Sequence, residues 1–340
     1  MHAGGTTRNN VIQTPRLDSD HRFSLNKELM SSSQTFVSAP LRVGFRRKIA
    51  AYLALTKPRV MELLLAVTIP TMFLAQQGVP HLLLVLVTLI GGAMSAGSAG
   101  AFNCVIDRDI DRVMHRTEAR PLVTGEVSTR EAVIFASTLA VVSTVWFGFL
   151  TNWLAAGLSL GAILFYVLVY SLLLKRRTPQ NIVWGGAAGG FPVLIGWATV
   201  TGSLALTPIV LFLIIFLWTP PHYWPLSWKY REDYQNAQVP MLTVVRGPIT
   251  VGLQIVLYAW ATLAASLVLI PVANMGVIYV LLALGLGGAF VVESHRLYQG
   301  IVSNRDVSPM RLFHFSNAYL ALLFVGIALD ALWHVQIALW

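Results

Sequence analysis

Cysteine is almost missing from this chain of 340 residues, where Cys104 stands alone. One cysteine excludes an intramolecular disulfide and any cysteine-held metal cluster. Charge is scarce as well, at 11% of residues against 56% hydrophobic ones. Soluble domains carry about 25% charged residues, so a water-soluble globule is excluded and a polytopic membrane protein is expected. The net charge of +9 would suggest nucleic acid in a soluble protein. In a membrane protein it records topology instead, and no nucleic-acid partner is expected.

No apolar, signal-like segment lies near the start, and Asp18, Asp20 and Glu28 argue against a transit peptide. Residues 1–48 lack apolar periodicity and read as a disordered, basic and polar tail ahead of a membrane domain over 49–340. Arg46, Arg47 and Lys48 form a basic patch suited to an anionic membrane surface.

Nine apolar runs follow, each near the roughly 20 residues that span a bilayer: 59–77, 82–104, 131–150, 153–174, 182–200, 207–228, 250–271, 275–294 and 312–333. All 24 Lys and Arg residues fall on one side of a nine-span arrangement. The short connections near Gly78, Thr151, Gly202 and Asn274 carry none. The positive-inside rule then puts the N-terminus in the cytoplasm (or the matrix) and the C-terminus opposite.

After the second run comes NCVIDRDIDRVMHRTEARP, residues 103–121, the densest ionisable stretch of the chain. If helical, Asn103, Asp107 and Asp111 are spaced i, i+4, i+8 and share one face, with Asp109 pointing elsewhere. Two carboxylates and an amide form an incomplete set of hard oxygen ligands, which suits Mg²⁺ held jointly with a phosphate-bearing substrate. Arg112, Arg116 and Arg120, again four apart, offer guanidinium groups for phosphate oxygens. A plain cytoplasmic loop would also collect arginines. Ionisable clusters at a membrane boundary are nevertheless costly and mostly functional.

A second cluster, Lys229 to Tyr234, follows the sixth run as the first follows the second. The offset suggests two parallel four-helix halves sharing a site, plus a ninth helix. Asp233 is a candidate for a second metal position, and Lys229, at i, i+4 to it, for diphosphate. His222 lies after Pro220 and Pro221, which are expected to break the helix and free backbone acceptors. It can bond a freed carbonyl, ligate a haem iron or shuttle a proton. The other histidines look peripheral or cytoplasmic. Lys175, Arg176 and Arg177 read as simple inside anchors, and Asn181 as a possible ligand contact. Gly91, Gly92, Gly97, Gly100, Gly185, Gly186, Gly189 and Gly190 permit close helix approach, or leave room for a flat or isoprenoid ligand.

These stretches resemble the UbiA superfamily of intramembrane prenyltransferases, over about residues 50–335. The family's N-x-x-x-D-x-x-x-D pattern is matched by Asn103, Asp107 and Asp111. The following D-x-x-M-x-R-T-x-x-R-P is matched by Asp111, Met114, Arg116, Thr117, Arg120 and Pro121. LKRRTPQNIVWGGAAGG, TPPHYW and KYREDY resemble its haem-directed branch. Lys229 replaces the first aspartate of the usual second motif, and Gln238 stands where glycine is expected.

The resemblance implies an all-α bundle of nine transmembrane helices with a central cavity opening to the cytoplasmic side. It also implies transfer of a farnesyl group from farnesyl diphosphate to a vinyl group of haem B, giving haem O for terminal oxidases. Asn103, Asp107, Asp111 and Asp233 would bear Mg²⁺. Arg112, Arg116, Arg120 and Lys229 would take the diphosphate, and His222 would hold haem or relay a proton. A bacterial plasma membrane is favoured over the mitochondrial inner membrane. Haem A synthase and a second copy of the chain are the candidate protein partners. Two rivals stand beside this reading: prenylation of an aromatic quinone precursor, and transport of an anionic lipid or metabolite. A non-catalytic haem-binding assembly factor would leave the carboxylates unexplained.

Overall fold

The structure, a computed structural model, describes residues 44–333 and 335. Most of the expected tail, including His2 and His21, lies outside the described residues, as does His334 near the other end. The tail's last four residues belong elsewhere, because a helix begins before residue 48. This is α1 (Phe45–Leu55), which buries Ala51 and Leu55 and leaves Phe45 exposed. Arg47 pairs with Glu126 at 2.7 Å and Lys48 with Glu131 at 2.8 Å, so two of the patch's three cations are held by acids of the chain itself.

Every other described element is also helical: α2 (Pro58–Gln76), α3 (Leu82–Ile106), α4 (Arg108–Val113), α5 (Pro121–Thr124), α6 (Thr129–Leu150), α7 (Trp153–Leu174), α8 (Asn181–Thr201), α9 (Leu206–Lys229), α10 (Arg231–Asn236), α11 (Leu242–Val245), α12 (Pro248–Ala273), α13 (Val277–Val302) and α14 (Pro309–Leu332). Eight of them, α3, α6, α7, α8, α9, α12, α13 and α14, are long and apolar enough to cross a membrane. The remaining expected span is α2, whose apolar part, Met61–Gln76, is shorter. The largest departure is α13, which continues to Val302, well past the apolar run. Once the backbone is helical, further i→i−4 bonds carry it through Glu293 and Arg296 into water.

Local chemistry sets the ends. Ser128 and Glu131 form a reciprocal capping box at the start of α6. Asn152 accepts from the Ala155 amide to open α7. Gly202 closes α8 at φ 66°, in the left-handed region that costs glycine nothing. Contrary to expectation, Pro220 and Pro221 do not break α9, which also contains Pro225. Their missing N–H groups still leave the carbonyls of Phe216, Leu217 and Pro221 without helical donors. Neighbouring helices sustain such a segment where an open break would strand more polar groups in lipid.

The most extensive helix pairings are α3 with α6 and α9 with α12, the same place in each proposed half. α2 packs mainly on α8 and α14, and α14 also lies against α9 and α13. Large apolar side chains such as Leu86, Val141 and Leu257 remain exposed on the spans. A water-soluble protein would bury such faces; here they are fit for lipid.

Candidate active site

Asp107 ends α3 as its C-cap, and α4 starts at the next residue. The expected single helix is therefore bent at Asp107. Its hydrogen bonds keep phase, with the Asp107 amide on the Asn103 carbonyl at 2.9 Å and the Asp111 amide on the Asp107 carbonyl at 2.8 Å. The acidic ladder survives the bend, and Asn103, Asp107 and Asp111 are all buried. Asp109 points elsewhere, to Arg176 at 2.6 Å, whose hydrogen bonds hold its carboxyl below the usual carboxylate range.

The buried cluster is met by cations from three segments. Lys57, between α1 and α2, donates to Asn103 Oδ1. Lys175, just after α7, donates to Asp107 Oδ2. Arg120 donates to Asp111 Oδ2 at 2.6 Å. The Arg116 amide donates to Asp233 Oδ2 at 3.3 Å, and its guanidinium reaches the Tyr234 hydroxyl at 3.4 Å. That hydroxyl lies 2.8 Å from Tyr223. Tyr234 is held protonated far above its usual range, by burial first and by Tyr223 second. Burial likewise lowers the Lys57 ammonium to about 8, against an ordinary 10.5.

Several expectations need correcting here. Lys175 is not a simple anchor, since its ammonium is part of the acid cluster. The arginines do not form a helical ladder, because α4 stops at Val113 and Met114 is extended. Arg112 is left exposed, while Arg116 and Arg120 approach the acids from the loop. Lys229 and Asp233 do not share a helical face, because Tyr230, at φ −106° and ψ 26°, separates α9 from α10. Lys229 is exposed over the Tyr230 ring at 5.6 Å, and Arg116 sits over the same ring at 5.3 Å. Asn181 donates to the Lys175 carbonyl at 3.1 Å and so steadies that lysine's backbone.

Neither Lys57 nor Ser171 was legible as a site residue. The last ten residues of α7, Phe165–Leu174, form a π-helix. Its i→i+5 step sets residues five apart on one face. Ser171 Oγ thus bonds the Tyr166 carbonyl at 2.9 Å and receives Asn103 Nδ2 at 3.0 Å. The Lys175 amide continues the step to the Tyr170 carbonyl at 2.8 Å. An apolar run of this composition carries no local sign of a π rather than an α repeat.

Beside the acids lies a cavity of about 190 Å³ between α2, α3, α7 and α8. Lys57 and Tyr166 belong to its wall, with Gly92, Gly100, Gly185 and Gly189 among the small residues lining it. The glycine pairs divide their work. Gly91 and Gly190 leave the space taken by Phe147 and Phe212, while Gly92 and Gly189 face the cavity.

Metal capacity rests on the oxygens. Among the described residues no three His, Cys, Asp or Glu side chains already form a metal-binding group. Asp107 Oδ1, however, is buried with no hydrogen-bond partner. A hard, unsatisfied carboxylate oxygen beside Asp111 and Asn103 fits a divalent cation completed by phosphate oxygens.

On α9, His222 stacks on Trp218 at 4.1 Å and on Phe313 at 4.7 Å. Its Nδ1 lies 2.8 Å from Ser316 Oγ. It bonds a side chain of α14, not one of the freed carbonyls.

The profile of the UbiA prenyltransferase family matches residues 64–318. The chain is 66% identical over 291 residues to protoheme IX farnesyltransferase of Leifsonia xyli subsp. xyli, covering 86% of this chain and 95% of that one. It is 64% identical over 290 residues to the protein of that name from Clavibacter michiganensis subsp. michiganensis, covering 85% and 95%. Among solved structures, a digeranylgeranylglyceryl phosphate synthase superposes with a TM-score of 0.68 at 17% identity, over 84% of this chain and 98% of that one. A UbiA homolog from Archaeoglobus fulgidus bound to DMAPP and Mg²⁺ superposes at 0.58 and 19%, over 84% and 99%.

Proposed function

The chain belongs to the UbiA prenyltransferase family, and from that premise we propose that it transfers the farnesyl group of farnesyl diphosphate to a vinyl group of haem B, making haem O. One juxtaposition carries the reading: Lys57 both bonds the acid cluster at Asn103 and lines the apolar cavity. A diphosphate needs cations and hard-ion ligands, an isoprenoid tail needs a dry slot, and this lysine stands where the two join. The relatives' name supports haem as the acceptor.

Asp107, Asp111 and Asn103, with Asp233 facing Arg116, would hold Mg²⁺, which when bound neutralises the diphosphate and eases its departure. Lys57, Lys175, Arg116 and Arg120 surround the same acids. With a diphosphate present, their donors turn to phosphate oxygens and stabilise the charge that builds as the allylic C–O bond breaks. Arg112 and Lys229, both exposed, raise the positive potential that draws the anion in. The small-residue cavity keeps water from the farnesyl cation. C1 of that cation bonds to the terminal vinyl carbon; water adds to the neighbouring carbon and releases a proton, leaving a hydroxyethylfarnesyl group. His222 is the residue for holding the haem or taking that proton.

The one-sided Lys and Arg distribution orients the chain with its N-terminus cytoplasmic and its C-terminus outside, in a bacterial cell membrane. The test is purified protein in detergent with haem B, farnesyl diphosphate and Mg²⁺, read by mass spectrometry. A Mg²⁺-dependent farnesylated hydroxyethyl haem, abolished by EDTA, is the expected product. Prenylation of an aromatic acid instead of haem would move the protein to the quinone branch, and intact diphosphate throughout would point to transport.

A further inference from the structure

We infer that Ser316 is a positioning residue that fixes His222 as the Nδ1–H tautomer, so that its Nε2 lone pair is presented to the haem iron. The inference rests on the haem reading above and deepens it. Ser316 Oγ lies 2.7 Å from the Phe313 carbonyl and 2.8 Å from His222 Nδ1. A serine hydroxyl has one proton. The Phe313 carbonyl is a pure acceptor, and two oxygens 2.7 Å apart without a proton between them would repel. The hydroxyl proton therefore goes to Phe313, and Ser316 Oγ can only accept from His222. Nδ1 carries the imidazole proton, and Nε2 is left with its lone pair.

The ring is held as well as polarised. Trp218 and Phe313 flank it with interplanar angles of 14° and 24°, so it can neither tilt nor spin without displacing an aromatic neighbour. Trp218 is itself tied by its indole N–H to the Ser316 carbonyl at 2.9 Å. One serine on α14 thus anchors two rings of α9, through its hydroxyl and its carbonyl. His222 is half-buried, and among the described residues nothing donates to or accepts from Nε2. A neutral imidazole with one nitrogen hydrogen-bonded and the other free is the form that ligates iron, and the partner on the first nitrogen sets the direction of the second.

The test is optical titration of purified full-length protein with haem B, alongside farnesylated-haem formation by mass spectrometry. For the wild type we expect a Soret band shifted from that of haem in detergent alone. His222→Ala should lose that shift, and added imidazole should restore it. Ser316→Ala should bind haem roughly 10-fold more weakly, as removal of such an outer partner does at metal sites, while Ser316→Thr, which keeps the hydroxyl, should recover the wild-type spectrum. Yield and thermal unfolding of each variant identify any that fail to fold, and His222→Gln serves as a second ligand variant. A spectrum unmoved by both His222 variants while farnesylated haem still forms would overturn iron ligation alone. Equal spectra and affinities for Ser316→Ala and the wild type would overturn the role of Ser316. A wild type that neither shifts the haem spectrum nor makes product would remove the haem reading as well.

Discussion

The two oxygens of Asp107 have unequal surroundings: Oδ2 accepts the Lys175 ammonium, while Oδ1 is buried without a partner. An unsatisfied buried carboxylate oxygen is costly, and such a cost persists in a site that awaits a ligand. Asp107→Asn keeps the shape but removes the charge. Turnover should fall by roughly 10²-fold or more, while haem titrates the variant as it does the wild type. Comparable loss of haem binding, or of protein from the membrane, would make Asp107 structural. Lys57 yields a pH prediction. Burial lowers its ammonium to about 8, so the free enzyme loses this positive charge as pH rises through that value. The kcat/KM for farnesyl diphosphate should decline above pH 8, because this ratio reports ionisations of the free enzyme. Lys57→Arg, which stays charged, should move the decline to higher pH; an unchanged profile would assign it to another group.

At the scale of elements, the π-helical end of α7 and the glycine pairs of α3 and α8 shape the site. Five-residue steps, Ser171 to the Tyr166 carbonyl and the Lys175 amide to the Tyr170 carbonyl, bring Ser171 to Asn103 and Lys175 to Asp107. On α8 the neighbouring glycines should behave oppositely. A Cβ on Gly189 meets Ile215 at 3.6 Å, an ordinary contact, whereas one on Gly190 would come within 2.5 Å of the Phe212 ring. Gly189→Leu should therefore fold and shorten the slot, shifting preference from farnesyl toward geranyl diphosphate in a competition assay. Gly190→Ala should leave chain-length preference alone and lower stability by about 1–3 kcal/mol, seen as a lower unfolding temperature in detergent. If Gly189→Leu kept full farnesyl preference, the tail would lie elsewhere.

For the whole molecule, the prediction concerns topology. Cys104 is buried, so an impermeant maleimide should not label the wild type in intact cells. A cysteine introduced at exposed Ser203, in an uncharged connection, should label from outside. One at exposed Ser303, beside Arg305, should label only after the membrane is opened. The reverse pattern would invert the bundle and put the acid cluster on the wrong side for a cytoplasmic diphosphate.

The sequence by itself determined the helical spans and the acid cluster that follows the second of them, and it carries the charge bias behind the proposed sidedness, because each is written in a local run. Apolar length, loop charge and i, i+4 spacing all depend on residues near one another in the chain. Asn103, Asp107 and Asp111 were legible for that reason. What met them was not. Lys57 lies 46 residues from Asn103, and Lys175 lies 68 from Asp107. Ser316 lies 94 residues from His222. Only the packing of α2, α7 and α14 against the rest decides such encounters. The local rules were also overridden where packing outweighed propensity: three prolines stayed inside α9, and an ordinary apolar run wound as a π-helix. In lipid every backbone group must find its partner within the protein, so the tertiary arrangement settled those segments and, with them, which cations face the carboxylates.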